Sequence, residues 1–139
     1  GQTKIAVFSV VNSIGAIVDR HGKTIRGNLD PNTGERQRPS EGFERVAAMS
    51  ASSTPPGNTT LTVVITNQRL DGWRLTQLAR QVHASMARAI QPFHCLNDGD
   101  VLFAVTTDEV DDPQLHGSDL GALTSELAWD AVLASVGNS

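Results

Sequence analysis

The sequence predicts an α/β fold in which helices cover a sheet, and two periodic patterns support this prediction. Apolar runs rich in β-branched residues, typical of strands, fill residues 5–11 and 59–66. Apolar residues recur at helical spacing on one face of residues 72–90, and again in residues 118–136. Strand and helix therefore alternate in the second half of the chain, as expected when helices pack on a sheet.

The first strands are predicted from two apolar segments near the start of the chain. Residues 5–11 and 14–18 form two buried strands, or one strand with a kink at Asn12-Ser13. Residues 19–22 have the composition of a turn, so residues 23–26 are expected to pair back as a hairpin.

The amino-acid composition changes abruptly in the middle of the chain. Residues 27–58 are rich in Gly, Pro, Asn, Ser and Thr, which predicts a surface excursion with one short helix near residues 43–49. At Thr59 a strand begins whose centre, residues 63–65, is apolar without alternation. This pattern predicts a central strand that is covered on both faces.

Local signals set the ends of the remaining elements. Asp71 is a plausible N-cap for the first long helix, and Pro92 ends that helix. Residues 97–100 have the composition of a tight turn, and residues 101–107 form the next strand.

Composition limits the function. The 139 residues suit one domain, with 39% hydrophobic and 19% charged residues, so we expect a soluble chain with no membrane span. A net charge of −4 argues against a nucleic-acid partner. One cysteine and the lack of a secretory leader favour a reducing cytoplasm. The apolar run near a first residue that is not Met predicts a trimmed chain or a part of a longer protein.

The junction between Asn58 and Thr59 is the most informative feature. A threonine at a new amino terminus has its own base, because an α-amine with a pKa of about 7.7 to 8.0 is substantially neutral near pH 7. Cleavage before Thr59 would create the hydroxyl and the amine together, and Gly57 would permit the strained backbone that this cleavage needs. By pattern alone, a loop that meets a strand beginning with Thr remains an alternative.

Several strings of this sequence together resemble one family. They are Gly57-Asn58-Thr59-Thr60-Leu61, Val63-Val64-Ile65-Thr66-Asn67, Gln77-Leu78-Ala79, Val82-His83, residues 86–94, and Asp98-Gly99-Asp100 leading into residues 103–107. The family they resemble is the self-processing aminopeptidases and esterases, which includes the L-aminopeptidase/D-esterases and the β-aminopeptidases. The resemblance is strongest to its branch of 6-aminohexanoate-oligomer (nylon) hydrolases, which uses a threonine released after an asparagine.

The resemblance implies an αββα sandwich of the N-terminal nucleophile type, of which this chain covers only the C-terminal part. Residues 1–58 would end the large (α) fragment, and residues 59–139 would be the small (β) fragment, both within one domain. The fragments would stay together as a heterodimer, which assembles further into an oligomer. A region upstream of this chain would supply a catalytic lysine and part of the substrate cleft. No cofactor is implied.

Five residues match functional positions of the family. Thr59 matches the nucleophile, Asn58 the last residue of the large fragment, and Asn12 an asparagine whose amide donates to the oxyanion. Asp98 and Asp100 match two acidic residues near the new amino terminus, where a carboxylate would orient the amine. The alternative for Asn12 is a structural role at a strand break. The alternative for Asp98-Gly99-Asp100 is an ordinary turn.

Three functions remain open from the sequence. The resemblance favours hydrolysis of linear amides, such as 6-aminohexanoate oligomers or short peptides, through an acyl-enzyme on Thr59. Transfer of the acyl group to an amine, as in ornithine acetyltransferases, is the second function. The third is a non-catalytic fragment that only associates with partners.

Other chemically capable residues favour structural roles. His21, His83, His94 and His116 lack metal-ligand spacing, so we expect no metal site. Cys95 is interpreted as an incidental thiol. Trp73 and Trp129 lie at helical positions and are interpreted as packing or interface residues.

Overall fold

The computed structural model describes residues 2–41, 58–115 and 117–137. The elements within these ranges are β1 (Ile5–Asn12), β2 (Ala16–Val18), β3 (Thr24–Arg26), β4 (Thr59–Gln68), α1 (Gly72–Ser85), β5 (Ile90–Gln91), β6 (Val101–Val110) and α2 (Gly117–Ala134), with short 3-10 helices at Pro39–Glu41 and Met86–Arg88. The predicted α/β class is confirmed. The expected helix near residues 43–49 and the predicted role of Gly57 fall outside the described residues.

The described strands form a main sheet in the order β1, β4, β6. β1 runs antiparallel to β4, and β6 runs parallel to it, so α1 is the crossover that a parallel pair requires. β4 is central in this sheet, as the sequence predicts. Because β4 and β6 are parallel, the start of β4 lies beside the start of β6.

Both long helices pack on the same face of the main sheet. α2 packs on β1, and α1 packs on β6 and on α2. Buried side chains from the helices and β4 form the core between these layers; they include Val64, Leu78, Val82, Met86, Leu120, Ala128 and Val132. Asp71 caps α1 by accepting the backbone N–H of Arg74 at 2.8 Å, as predicted.

The other face of the main sheet is apolar and exposed. Strand pairing aligns apolar residues in three rows across β1, β4 and β6: Val10, Leu61 and Val101; Phe8, Val63 and Phe103; Ala6, Ile65 and Val105. Phe8 is 62% exposed and Val10 is 70% exposed. We call these nine residues the bare face. The prediction that β4 is covered on both faces therefore holds, within the described residues, only for the helix side.

A small sheet joins the two halves of the chain. Within the described ranges its order is β3, β2, β5, with both pairs antiparallel. β2 and β3 form the predicted hairpin. The segment after Asn12 is thus a separate strand in another sheet, which resolves the choice between two strands and one kinked strand.

The first long helix is shorter than its apolar pattern predicts. The α-helix ends at Ser85, a 3-10 turn follows, and Ile90 pairs with Ile17 of β2. Ile90 is fully buried in this arrangement. Its place in the apolar periodicity therefore reflects burial in a strand rather than on a helical face. The prediction that the helix extends to residue 90 is wrong for this reason.

Trp129 packs against the surface of the fold, as expected. Its indole N–H donates to Val18 O at 3.0 Å, and the guanidinium groups of Arg20 and Arg88 lie 5.0 and 4.9 Å from its ring. Glu126 binds both arginines. Trp73, in contrast, is 71% exposed on α1. No helix in the described part of the chain is long and apolar enough to cross a membrane.

Candidate active site

The pairing of β1 with β4 places Asn12 directly opposite Thr59. Residues that face each other across an antiparallel pair have Cβ atoms about 4.5 to 5.5 Å apart and point to the same side of the sheet. Asn12 and Thr59 therefore form the row that follows Val10 and Leu61 at the end of the bare face. The nucleophile candidate lies on the side of the sheet that the helices do not cover.

The hydroxyl of Thr59 contacts the bond that the sequence predicts to break. Thr59 Oγ1 donates to Asn58 O at 2.7 Å, so the hydroxyl lies next to the carbonyl group it would attack. The same carbonyl oxygen accepts the backbone N–H of Gly99 at 3.1 Å. The Asn58 carbonyl oxygen thus accepts hydrogen bonds from both a hydroxyl and a backbone amide.

Asp100 fixes the start of β4 against the loop before β6. Its carboxylate is buried, with Oδ1 accepting the Thr60 N–H at 2.6 Å and Oδ2 accepting the His94 N–H at 3.0 Å. Hydrogen bonds between backbone amides and a carboxylate are short and strong. Both oxygens of Asp100 are therefore committed to holding backbone in place.

Asp98 is in a different state from Asp100. Both of its carboxyl oxygens are buried and make no hydrogen bond of normal length and angle within the described residues, although the carboxyl group of Asp100 and the backbone amides of Gly99 and Ile14 lie nearby. Burial raises the pKa of Asp98, and the nearby charge of Asp100 raises it further. The two carboxyl groups of this loop therefore differ: Asp100 holds two backbone amides, whereas Asp98 has a raised pKa and no well-formed hydrogen bond within the described residues.

The raised pKa of Asp98 predicts a stability change in the uncut protein. Between the usual carboxyl pKa of 3.8 and the higher folded value, the folded state binds more protons than the unfolded state. Stability conferred by this site therefore falls as pH rises through that window and stays low above it. In an uncleavable Thr59→Val background, Asp98→Asn should raise the melting temperature at pH 7, and the gain should vanish below about pH 3.8.

The matched control is Asp111→Asn, which changes an exposed carboxylate. Melting is followed by circular dichroism from pH 3 to pH 8 for both variants. An Asp98→Asn protein that melts below its parent at pH 7 would contradict this account of Asp98.

Two histidines lie close to Asp100. The rings of His83 and His94 meet edge to face with centroids 4.6 Å apart, and Phe93 packs against His83 at 5.0 Å. Burial, then the neighbouring His94, lowers the pKa of His83. His83 is on a helix and His94 beyond its end, as predicted, while His116 lies outside the described residues. Cys95 is partly buried and not in a disulfide.

The most prominent cavity within the described residues lies away from Thr59. This cavity of about 450 Å³, lined by Trp73, Arg74 and Leu115 among others, lies at the far end of β4, roughly 30 Å from Thr59 for a strand of this length. A recess of about 200 Å³ borders Asn12 and Ile14. This is below the ~300 Å³ typical of small ligand pockets.

The structure brings together the residues that the sequence singles out. Asn12, Asn58, Thr59, Asp98 and Asp100 all lie around the start of β4. The sequence analysis assigned no role to Gly99. The available signal was its position between the two candidate acids, Asp98 and Asp100. Its amide makes direct contact with the Asn58 carbonyl.

Comparison with known proteins identifies the class. The family model of peptidase family S58 matches residues 2–138, and the chain belongs to this family. Among its relatives, the 6-aminohexanoate-oligomer endohydrolase of Paenarthrobacter ureafaciens is 46% identical over 144 residues, which cover 96% of this chain and 41% of that protein. An enzyme of the same name from Kocuria shows the same identity and coverage.

A more distant relative is also similar over nearly the whole chain. An uncharacterized aminopeptidase of Mycobacterium tuberculosis is 30% identical over 154 residues, covering 97% of this chain and 44% of that protein. The chain thus spans less than half the length of these relatives.

Proposed function

We propose that this chain is the C-terminal part of a self-cleaving amide hydrolase whose nucleophile is Thr59. One observation carries the proposal: the Thr59 hydroxyl lies 2.7 Å from the carbonyl oxygen of Asn58, at the head of β4 and opposite Asn12. Cleavage of the Asn58–Thr59 bond would divide the chain into residues 1–58, which end the large fragment, and residues 59–139, the small one. The two would remain together, because β1 and β4 pair along their length.

After cleavage, Thr59 would attack the carbonyl carbon of an amide substrate. Its own α-amine takes the hydroxyl proton and passes it to the leaving amine, and the acyl group stays on Oγ1 until water releases it. Asn12 faces the same side of the sheet, so its side-chain amide would donate to the substrate oxyanion. Such donors contribute about 3 to 4 kcal/mol where they have been removed from other enzymes.

Asp98 and Asp100 would have different roles in this reaction. Asp100 holds the Thr60 amide, which fixes the nucleophile in the strand register. Asp98, whose oxygens are buried and make no well-formed hydrogen bond within the described residues, would accept a hydrogen bond from the new ammonium group or take the proton it carries. The proposed role of Asp100 rests on its hydrogen bonds to backbone amides, and that of Asp98 on its burial and raised pKa.

The substrate class follows from the named relatives. Two relatives at 46% identity are 6-aminohexanoate-oligomer endohydrolases, so we propose linear amides of ω-amino acids or short peptides as substrates. The protein would act in the cytoplasm and without a cofactor.

The test is amino-terminal sequencing and intact mass of the whole purified protein. The proposal expects a second terminus that begins Thr-Thr-Leu-Thr, together with hydrolysis of a linear 6-aminohexanoate oligomer in water alone. Product that appears only when an amine acceptor is added would instead assign acyl transfer. An active protein with one unbroken chain would refute the proposed chemistry.

We further propose that the upstream part of the protein covers the bare face and completes an αββα sandwich, with the heterodimers forming a homo-oligomer. Nine apolar residues in register across three strands form an exposed apolar patch, which is typical of a surface that contacts another part of a protein. The uniform apolarity of residues 63–65 is typical of a strand with layers on both sides. More than half of each named relative lies beyond the matched region, which provides enough chain for this layer.

This arrangement predicts the effect of truncating Phe8. In the whole protein, Phe8→Ala should lower the free energy of unfolding by about 3 to 5 kcal/mol, because a buried aromatic side chain would be lost. Leu96→Ala is the control, since Leu96 is fully exposed in a loop. Denaturant unfolding measures both variants, and equal stability of the two would show that the face stays uncovered.

A further inference from the structure

Gly99 lies where the self-cleavage would take place, although it has no side chain that could take part in the reaction. Its N–H donates to Asn58 O at 3.1 Å. A Cβ atom built at residue 99 would lie 2.7 Å from Thr59 Oγ1 and 3.5 Å from Asn58 O. Apart from the residues next to it in the chain, a side chain at this position would therefore first meet the Thr59 hydroxyl and the oxygen of the carbonyl group it would attack.

Backbone conformation does not explain the glycine. The φ angle of Gly99 is outside the left-handed region, unlike those of Gly22, Gly27, Gly34 and Gly137. An L-amino acid would thus fit the backbone at residue 99, and the obstacle to a side chain is the Thr59 hydroxyl itself. Gly117, in contrast, has no atom within 4 Å of a built Cβ.

We infer that Gly99 is a catalytic residue of the self-cleavage reaction, which supplies the oxyanion donor and the space that the Thr59 hydroxyl needs. The inference rests on the proposed function and deepens it. Asn12 would serve the substrate carbonyl, whereas the Gly99 amide serves the chain's own carbonyl at Asn58.

The reaction balances without an added oxidant or cofactor. Thr59 Oγ1 bonds to the Asn58 carbonyl carbon, and the oxygen that accepts the Gly99 N–H becomes the oxyanion. The C–N bond then breaks, the nitrogen takes the hydroxyl proton and becomes the α-amine of Thr59, and an ester joins Asn58 to Oγ1. Water hydrolyses this ester to the Asn58 carboxylate and the free Thr59 hydroxyl.

The N–H is tested by replacing the Asp98–Gly99 amide with an ester, using glycolic acid at residue 99. The 139-residue sequence contains one cysteine, Cys95, so a synthetic segment that begins there can be ligated to the upstream part without changing the sequence. Cleavage is timed by intact mass after the whole protein is refolded. The matched control is glycolic acid at residue 117, the first residue of α2, whose N–H needs no helical acceptor.

We expect the ester at residue 99 to slow cleavage by about 10²- to 10³-fold, and the ester at residue 117 to leave it within about twofold of the parent. Circular dichroism and melting confirm that each protein has refolded. Cleavage at the parent's rate with the ester at residue 99, or equal slowing by both esters, would overturn the inference.

A second pair of variants tests whether the Thr59 hydroxyl needs the space left by the absent side chain of Gly99. These variants need no chemical synthesis. Gly99→Ala should slow cleavage at least about tenfold, because the methyl group displaces the hydroxyl, while Gly117→Ala should not. If the ester protein does not refold, this pair decides, and a Gly99→Ala protein cut at the parent's rate overturns the inference. A parent protein that is not cut at all would contradict the proposed function instead.

Discussion

Replacing Thr59 with valine should leave the whole protein as one uncut polypeptide and lower amide hydrolysis by at least about 10⁴-fold. Valine has nearly the same shape as threonine, with a methyl group in place of the hydroxyl. The strand register with β1 should therefore persist while the nucleophile is lost. Intact mass after purification measures the cut, and release of 6-aminohexanoate from a linear oligomer measures activity.

The neighbouring residue provides a matched control. Thr60 is buried on the helix side, its Oγ1 lacks a hydrogen-bond partner among the described residues, and its contact with Asp100 uses the backbone N–H. Thr60→Val therefore makes the same chemical change one residue away and should allow full cleavage. Cleavage in the Thr59→Val protein, or equal loss in both variants, would contradict the assignment of the nucleophile.

Removing the side-chain amide of Asn12 should give the second largest effect. In protein that is already cut, Asn12→Ala should lower kcat by about 10²- to 10³-fold and change KM little, because an oxyanion donor acts mainly in the transition state. The physical basis is the register that places Asn12 opposite Thr59. Steady-state kinetics, normalised to the cut fraction by mass, measure the change.

Asn32→Ala is the control for this variant. Asn32 is exposed in a turn, and its contact with Asp30 uses the backbone N–H. Its kinetics should match those of the parent. If Asn12→Ala instead raised KM and left kcat unchanged, Asn12 would bind the substrate uniformly rather than stabilise the oxyanion.

Sequence patterns predicted most elements because their signals are local. β-Branched runs predicted β1 and β4, apolar residues at helical spacing predicted α1 and α2, and Asp71 marked the start of α1. The end of α1 was predicted too late, since Ile90 satisfies a helical pattern as well as a strand. Pairing with Ile17, a residue distant in the sequence, decides between them. No local signal carries that information.

The candidate site shows the same division. Resemblance to a family singled out Asn12, Asn58, Thr59, Asp98 and Asp100, and their roles remain predictions. The different states of the two aspartates depend on which backbone amides reach each carboxylate, and this is a property of packing. The proposed role of Gly99 depends on the contact between its amide and the Asn58 carbonyl, which is also a property of packing.

The sequence by itself determined the alternation of strands and helices and the junction at Thr59, because periodicity and residue type act over a few neighbouring positions. Tertiary structure decided that Asn12 faces Thr59, that the Gly99 amide contacts the Asn58 carbonyl, and that the apolar strands leave one face uncovered in the described residues. These facts depend on strand register and on which layers are present. Both arise from contacts between segments tens of residues apart, which no short pattern specifies.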